Sequence, residues 1–141
     1  MARLTRARID DASLTAAATR PDCGAIVSFL GTTRDHHEGR RVLRLEYEAY
    51  EPMALEALAR IERDAVASWG VASCVIVHRL GEVPAAEASV VVVIAAAHRG
   101  PAFDACRRAM DELKRAVPIW NKEHFEGGDA AWVEGRPLRE G

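Results

Sequence analysis

Lysine is nearly missing from this chain. Only Lys114 and Lys122 occur among nineteen lysines and arginines, and both fall between His98 and Phe125. Three cysteines, Cys23, Cys74 and Cys106, are odd in number, far apart and without a CxxC pair, which fits reduced buried thiols and speaks against a disulfide frame. A net charge of -2 gives no general pull toward nucleic acid or anionic lipid. No apolar run approaches the ~20 residues of a membrane span. The opening MARLTRARIDD is too charged for a secretion signal, so a cytoplasmic protein is expected. Ser-His-Asp, P-loop and dinucleotide-glycine patterns are missing as well, which argues against the commonest hydrolase and nucleotide chemistries.

What remains is 141 residues, 49% of them apolar, a length suited to one domain over 1–141 with 135–141 as a loose tail. An edge strand is expected over Arg3–Ile9 and a short helix over Asp11–Thr19, before Pro21. Ala25–Leu30 and Val42–Tyr50 read as strands, joined through the polar, glycine-bounded loop Gly31–Gly39 as a hairpin. In the second strand Leu43, Leu45, Tyr47 and Ala49 alternate with Arg44, Glu46 and Glu48. Ala54, Leu58, Ile61, Ala65 and Trp69 recur at helical spacing between Pro52 and Gly70. Strands follow over Ala72–Leu80 and Ala88–Ala97, separated by the breaker Gly81–Pro84. The second is apolar on both faces, as a central strand should be. A helix over Pro101–Val117 presents Phe103, Cys106, Met110, Leu113 and Val117, and Pro118 ends it. Ile119–Trp120 and Ala131–Val133 are short terminal strands. The order β-α-β-β-α-β-β-α-β-β implies an α+β fold, a mostly antiparallel sheet with packed helices.

Lys114 lies about 40° from Met110 on a helical wheel, at the margin of the apolar stripe. A lysine there either snorkels to water or, held in a pocket, serves as acid, base or oxyanion donor. Arginine cannot exchange protons in that way. Lys122 reads either as a second functional amine or as a surface charge beside Trp120. His98-Arg99 joins a buried strand to a helix start, where it either receives an anion or caps the sheet edge. Arg34 lies in a loop that suits either a functional site or a plain hairpin tip. The neighbours His36 and His37 have no cysteine or carboxylate at ligand spacing, so no metal is expected. His78-Arg79 reads as a solvated strand end.

Seven stretches occur in order: GAIVSFLGTTRD from Gly24, LEYEAYEPMA from Leu45, HRLGEV from His78, AHRGPAF from Ala97, DELK from Asp111, PIWNKE from Pro118 and WVEG from Trp132. Together they resemble the large, catalytic subunit family of molybdopterin synthase. The resemblance implies an α/β hammerhead fold and a homodimer carrying a ubiquitin-like small subunit at each end. That small subunit bears a thiocarboxylate on its C-terminal Gly-Gly. It implies sulfur transfer from this tail to cyclic pyranopterin monophosphate, forming the dithiolene of molybdopterin, with no cofactor in the large subunit. By motif position, Lys114 corresponds to the family's essential lysine, and Arg34, His98 and Arg99 to its pocket residues. The family commonly has a second lysine after PIW, where this chain has Asn121 followed by Lys122. Three accounts stand side by side: Lys122 serves as the second catalytic lysine while Asn121 contacts substrate, the second lysine is dispensable, or the protein is less active. The alternatives in kind are a non-catalytic dimeric adaptor for a ubiquitin-like tail and a stand-alone phosphate-ester enzyme.

Overall fold

The computed structural model describes residues 3–133. The expected 135–141 tail and the end of the WVEG motif lie outside the described residues. The chain runs β1 (Leu4–Thr5), α1 (Asp11–Ala18), β2 (Ala25–Thr32), β3 (His36–His37), β4 (Arg40–Ala49), α2 (Glu51–Ser68), β5 (Ser73–Arg79), β6 (Gly81–Pro84), β7 (Ala88–Ala96), α3 (Arg99–Ala116), β8 (Ile119–Phe125) and β9 (Ala130–Trp132). This is an α+β fold built on two sheets. One has the order β1-β5-β7-β2, with β1 parallel to β5 and the other pairs antiparallel. In the second, β4 pairs with β8 along one edge and with β3 and then β6 along the other, and β9 extends β8.

Strand β7 is central because its sequence can be covered on both sides. Val90, Val92, Ile94 and Ala96 face α2 and α3, where they meet Leu58, Ile61, Ala105, Met110 and Leu113. Val91, Val93 and Ala95 face the other way, toward Leu14 and Ala18 of α1. Full burial of a valine or isoleucine contributes about 1.5–3 kcal/mol, and a one-residue slip would exchange the two faces of β7, so register is strongly fixed. Local signals set the helix ends. Asp10 caps α1, accepting from the Ser13 amide at 3.1 Å. Pro52 sits in the first turn of α2, and Gly70 follows it with φ +75.

Several expectations from sequence are corrected. Strands β2 and β4 do not form a hairpin, since β2 pairs with β7 and β4 belongs to the other sheet. The hairpin in this region is smaller. β3 turns into β4 through Glu38 and Gly39, both at positive φ (51 and 79), as a tight two-residue turn demands. Gly81–Pro84 is a strand and not only a breaker: Gly81, at φ +81, carries the chain out of β5, and β6 then pairs with β4. The expected alternation in β4 is broken by a bulge between Val42 and Arg44, which buries Val42 and leaves Leu43 exposed. The buried stripe of α3 is Ala102, Ala105, Cys106, Ala109, Met110 and Leu113, and Phe103 is exposed. Alanines let the helix approach the sheet closely, and their small side chains hid that face from a reading weighted to large apolar residues. β1 is shorter than expected, and β8 longer, reaching Phe125.

Candidate functional site

Helix α3 decides which candidate residues can meet. His98 is its N-cap residue, Arg99 its first residue, and Lys114 stands in its last turn. Fifteen residues at 1.5 Å each separate Arg99 from Lys114 by about 22 Å. Within one chain, therefore, His98-Arg99 and Lys114 lie at opposite ends of the helix and do not share a pocket.

The Lys114 end is the more elaborate. Lys114 is exposed and complements the C-terminal end of the helix dipole, and Arg115 beside it pairs with Glu112. In β5, His78 follows Cys74 and Ile76 along the face that packs against α2. It is only 4% exposed, which corrects the expected solvated strand end. Its Nδ1–H donates to the Arg79 carbonyl at 2.9 Å. Tyr47 from the second sheet packs edge-on against the imidazole, 4.9 Å between ring centroids. Ser89, buried nearby in β7, donates to the Gly31 carbonyl at 3.2 Å. Burial pushes the Tyr47 phenol up.

Tyr47 is also paired in register with Asn121 on β8 and with Gly81 on β6. Paired residues point to the same face of a sheet, so Asn121, half-buried, shares the Tyr47 side. Lys122 takes the opposite face. It pairs in register with Glu46, and its ammonium lies 4.8 Å from the centre of the Trp132 ring. Glu46 also meets Nε2 of His124 at 2.8 Å, and that hydrogen bond, ahead of the nearby charges of Lys122, His124 and Arg44, holds its carboxyl below the usual range. The structure thus separates Asn121 and Lys122 onto two sides of β8.

Arg34 is exposed, but its loop is held on both sides. The Thr33 amide donates to the Glu87 carbonyl at 3.0 Å and the Ala86 amide to the Thr33 carbonyl at 2.8 Å. The Glu87 carboxylate accepts from Arg79 at 2.8 Å, and the Val42 amide donates to the Asp35 carbonyl at 2.8 Å. Since Thr32 is opposite Ala88 where β7 begins, Arg34 leaves the sheet at the same end as His78. At the other end, the Gly24 amide donates to the Ala97 carbonyl at 3.2 Å, and a Cβ on Gly24 would come within 2.9 Å of that oxygen. Only glycine lets the strand end beside His98 close so tightly. His36 Nδ1 meets Asp35, and His37 Nδ1 meets Glu123, each at 2.8 Å. These contacts tie the β3 turn to its neighbours.

The thiols are poor nucleophiles. Burial pushes Cys74 up to about 12 and raises Cys106, and desolvation raises Cys23. A cleft of about 450 Å³ between α2 and β5, lined by Arg3, Glu62, Val66, Ser73 and Cys74 among others, includes none of the candidate residues.

His78 carries a testable consequence for stability. Burial lowers its imidazole from the ordinary 6.5 to about 4, ahead of the opposing bond to Arg79 and the repulsion of Lys114. Between those values the unfolded chain binds a proton that the folded chain refuses. Stability is therefore full above pH 6.5 and falls as pH drops toward 4, by about 3 kcal/mol across the window. Urea unfolding at pH 7 and pH 4.5 should show this loss in the wild type and a smaller one in His78→Gln. Equal losses would mean that His78 is not held neutral.

The MoaE protein family matches residues 4–116 of the chain. The chain belongs to the MoaE family. A Drosophila willistoni relative named molybdopterin synthase catalytic subunit is 52% identical over 82% of this chain and 32% of its own length. A Culex quinquefasciatus relative of the same name is 41% identical over 95% of this chain and 87% of its own. The chain spans about a third of the length of the Drosophila relative. The crystal structure of molybdopterin synthase from Staphylococcus aureus superposes with a TM-score of 0.87 at 32% identity, covering 94% of this chain and 96% of that one. Sequence reasoning missed the burial of His78 and its packing against Tyr47. Parity along Cys74, Ile76 and His78 was the available signal, since it puts His78 on a buried face.

Proposed function

We propose that this chain is the catalytic subunit of a molybdopterin synthase. It moves sulfur from the thiocarboxylated C-terminus of a ubiquitin-like small subunit to cyclic pyranopterin monophosphate, in the cytoplasm. The observation that carries this reading is the position of Lys114: an amine exposed in the last turn of a helix, reachable by a partner's tail. There it serves as general acid or base, or steadies the oxyanion as the tail carbonyl is attacked. Arg34 and the His98-Arg99 helix start supply donors for the substrate phosphate. The chain's own thiols are held protonated, which favours sulfur that arrives on a partner.

The 22 Å along α3 supports a homodimer as well. If Lys114 and His98-Arg99 act on one substrate, a second protomer must bring one end of α3 to the other. Lys122, on the far side of β8 from Asn121, has its amine beside Glu46 and Trp132. As a catalytic residue it would have to act from that side.

Asn121 is the one feature that favours the adaptor reading, because an amide cannot shuttle a proton. Asn121→Lys discriminates. With a catalytic chain it should speed molybdopterin formation, by about tenfold or more for a regained acid–base group. An unchanged rate would mean that the amide suffices for the wild-type reaction. No formation by either protein would favour the adaptor.

A further inference from the structure

We propose that Arg79 is a positioning residue for Arg34: its ion pair with Glu87 locks the Pro84–Glu87 turn, and that turn holds the backbone from which Arg34 reaches the substrate phosphate. The role of Arg34 in holding phosphate rests on the proposed function, whereas the clamp on its loop does not. Arg34 is exposed, but its neighbours on both sides in sequence are pinned. Thr33, only 3% exposed, is gripped twice by one turn. Its amide donates to the Glu87 carbonyl at 3.0 Å, and its carbonyl accepts from the Ala86 amide at 2.8 Å. On the other side of Arg34, the Asp35 carbonyl accepts from the Val42 amide at 2.8 Å. The turn closes on itself where the Glu87 amide donates to the Pro84 carbonyl at 3.1 Å. Its Ala85 amide donates to the Leu43 carbonyl of β4 at 3.2 Å, so the turn stitches one sheet to the other beside Arg34.

Two local features show that this turn is held against its own preference. Ala86, the third residue of the turn, adopts φ +73, where glycine is the usual choice. A residue with a side chain stays there only when the surrounding bonds over-determine it. The strand beside it is also bent. Gly31 pairs with Val90 and Thr32 with Ala88, so Ser89 is an extra residue in β7, and its hydroxyl covers the Gly31 carbonyl at 3.2 Å. Arg79 supplies the lock. Its side chain is 12% exposed and donates to the Glu87 carboxylate at 2.8 Å, while its Nε is buried without a partner. Among the described residues, Glu87 is the carboxylate that compensates this guanidinium. A charge so nearly buried cannot release its counter-ion cheaply. Glu87 therefore stays in place, and with it the carbonyl that holds Thr33.

Arg79→Met removes the lock while keeping most of the side-chain volume, and Arg79→Lys keeps a cation within reach of Glu87. Hydrogen exchange of the Thr33 amide reads the clamp. Equilibrium binding of cyclic pyranopterin monophosphate, with unmodified small subunit present so that no sulfur moves, reads the aim of Arg34. In Arg79→Met the Thr33 amide should exchange about tenfold faster. Substrate Kd should rise about tenfold, as for the loss of one well-aligned charge-assisted hydrogen bond. Arg79→Lys should recover much of both. The decisive comparison is made in an Arg34→Ala background, where Arg79→Met should weaken binding further by only about twofold or less. A full additional loss there overturns the proposal, because Arg79 would then act on the substrate directly or on the fold at large. Unchanged Thr33 exchange in a folded Arg79→Met protein overturns it as well. Should Arg79→Met fail to fold, the Arg79→Met/Glu87→Gln pair, which leaves no lone charge, must meet the same criteria. A wild-type protein that binds no substrate overturns the proposed function and the role of Arg34 with it. That failure is distinguishable, since Thr33 exchange still reports the clamp.

Discussion

Lys114→Ala should abolish sulfur transfer, by a factor of about 10² to 10⁴ if the amine works as acid, base or oxyanion donor. The fold should be indifferent to the change. Lys114 is exposed at the last turn of α3 and outside the buried stripe, and such substitutions usually stay within about 0.5 kcal/mol. Binding of the small subunit should also be largely retained, since one amine is a small part of a tail-binding surface. The measurement is molybdopterin formation with purified thiocarboxylated partner, alongside thermal unfolding and partner binding. Near-normal formation by the variant would remove Lys114 from the mechanism and, with it, the main support for a catalytic reading.

A second large effect concerns the two ends of α3. Lys114→Ala and Arg99→Ala chains, each expected to be inactive alone, should regain activity when mixed as dimers. In a symmetric dimer with pockets shared between protomers, a mixed pair has one pocket carrying both lesions and one carrying neither. Random mixing then gives about a quarter of wild-type activity. If each pocket belonged to one chain, every pocket in the mixture would carry a lesion and no activity would return. The expectation follows from helix length together with the proposal that both residues serve one substrate in a homodimer, because about 22 Å of α3 cannot be closed within a protomer.

Much of this was legible in the residues. Helix α2 was readable because Ala54, Leu58, Ile61 and Ala65 mark one face and Pro52 and Gly70 bracket it. The centrality of β7 followed from its continuous apolar run. Lys114 stood out because lysine is scarce and lies at the edge of a stripe. The misses have physical causes. Gly81 and Pro84 look like breakers, but a glycine at positive φ can turn a chain into a strand as well as out of one. The pairing of β2 with β7 is long-range, and local pattern favoured the nearer strand. His78 looks solvated in sequence because it adjoins an arginine. Only the packing of Tyr47 from the second sheet against the end of β5 shows that it is buried. The separation of Asn121 from Lys122 likewise depends on the register of β8 against β4, which no spacing within PIWNKE can reveal.

The central claim is that this chain moves sulfur supplied by another protein. The most direct measurement is conversion of cyclic pyranopterin monophosphate to molybdopterin by the purified chain, with thiocarboxylated small subunit added and omitted. The account predicts dithiolene formation only when the thiocarboxylated partner is present, with none from the unmodified partner. Consumption of the substrate without any partner would contradict it, as would tight partner binding with no product.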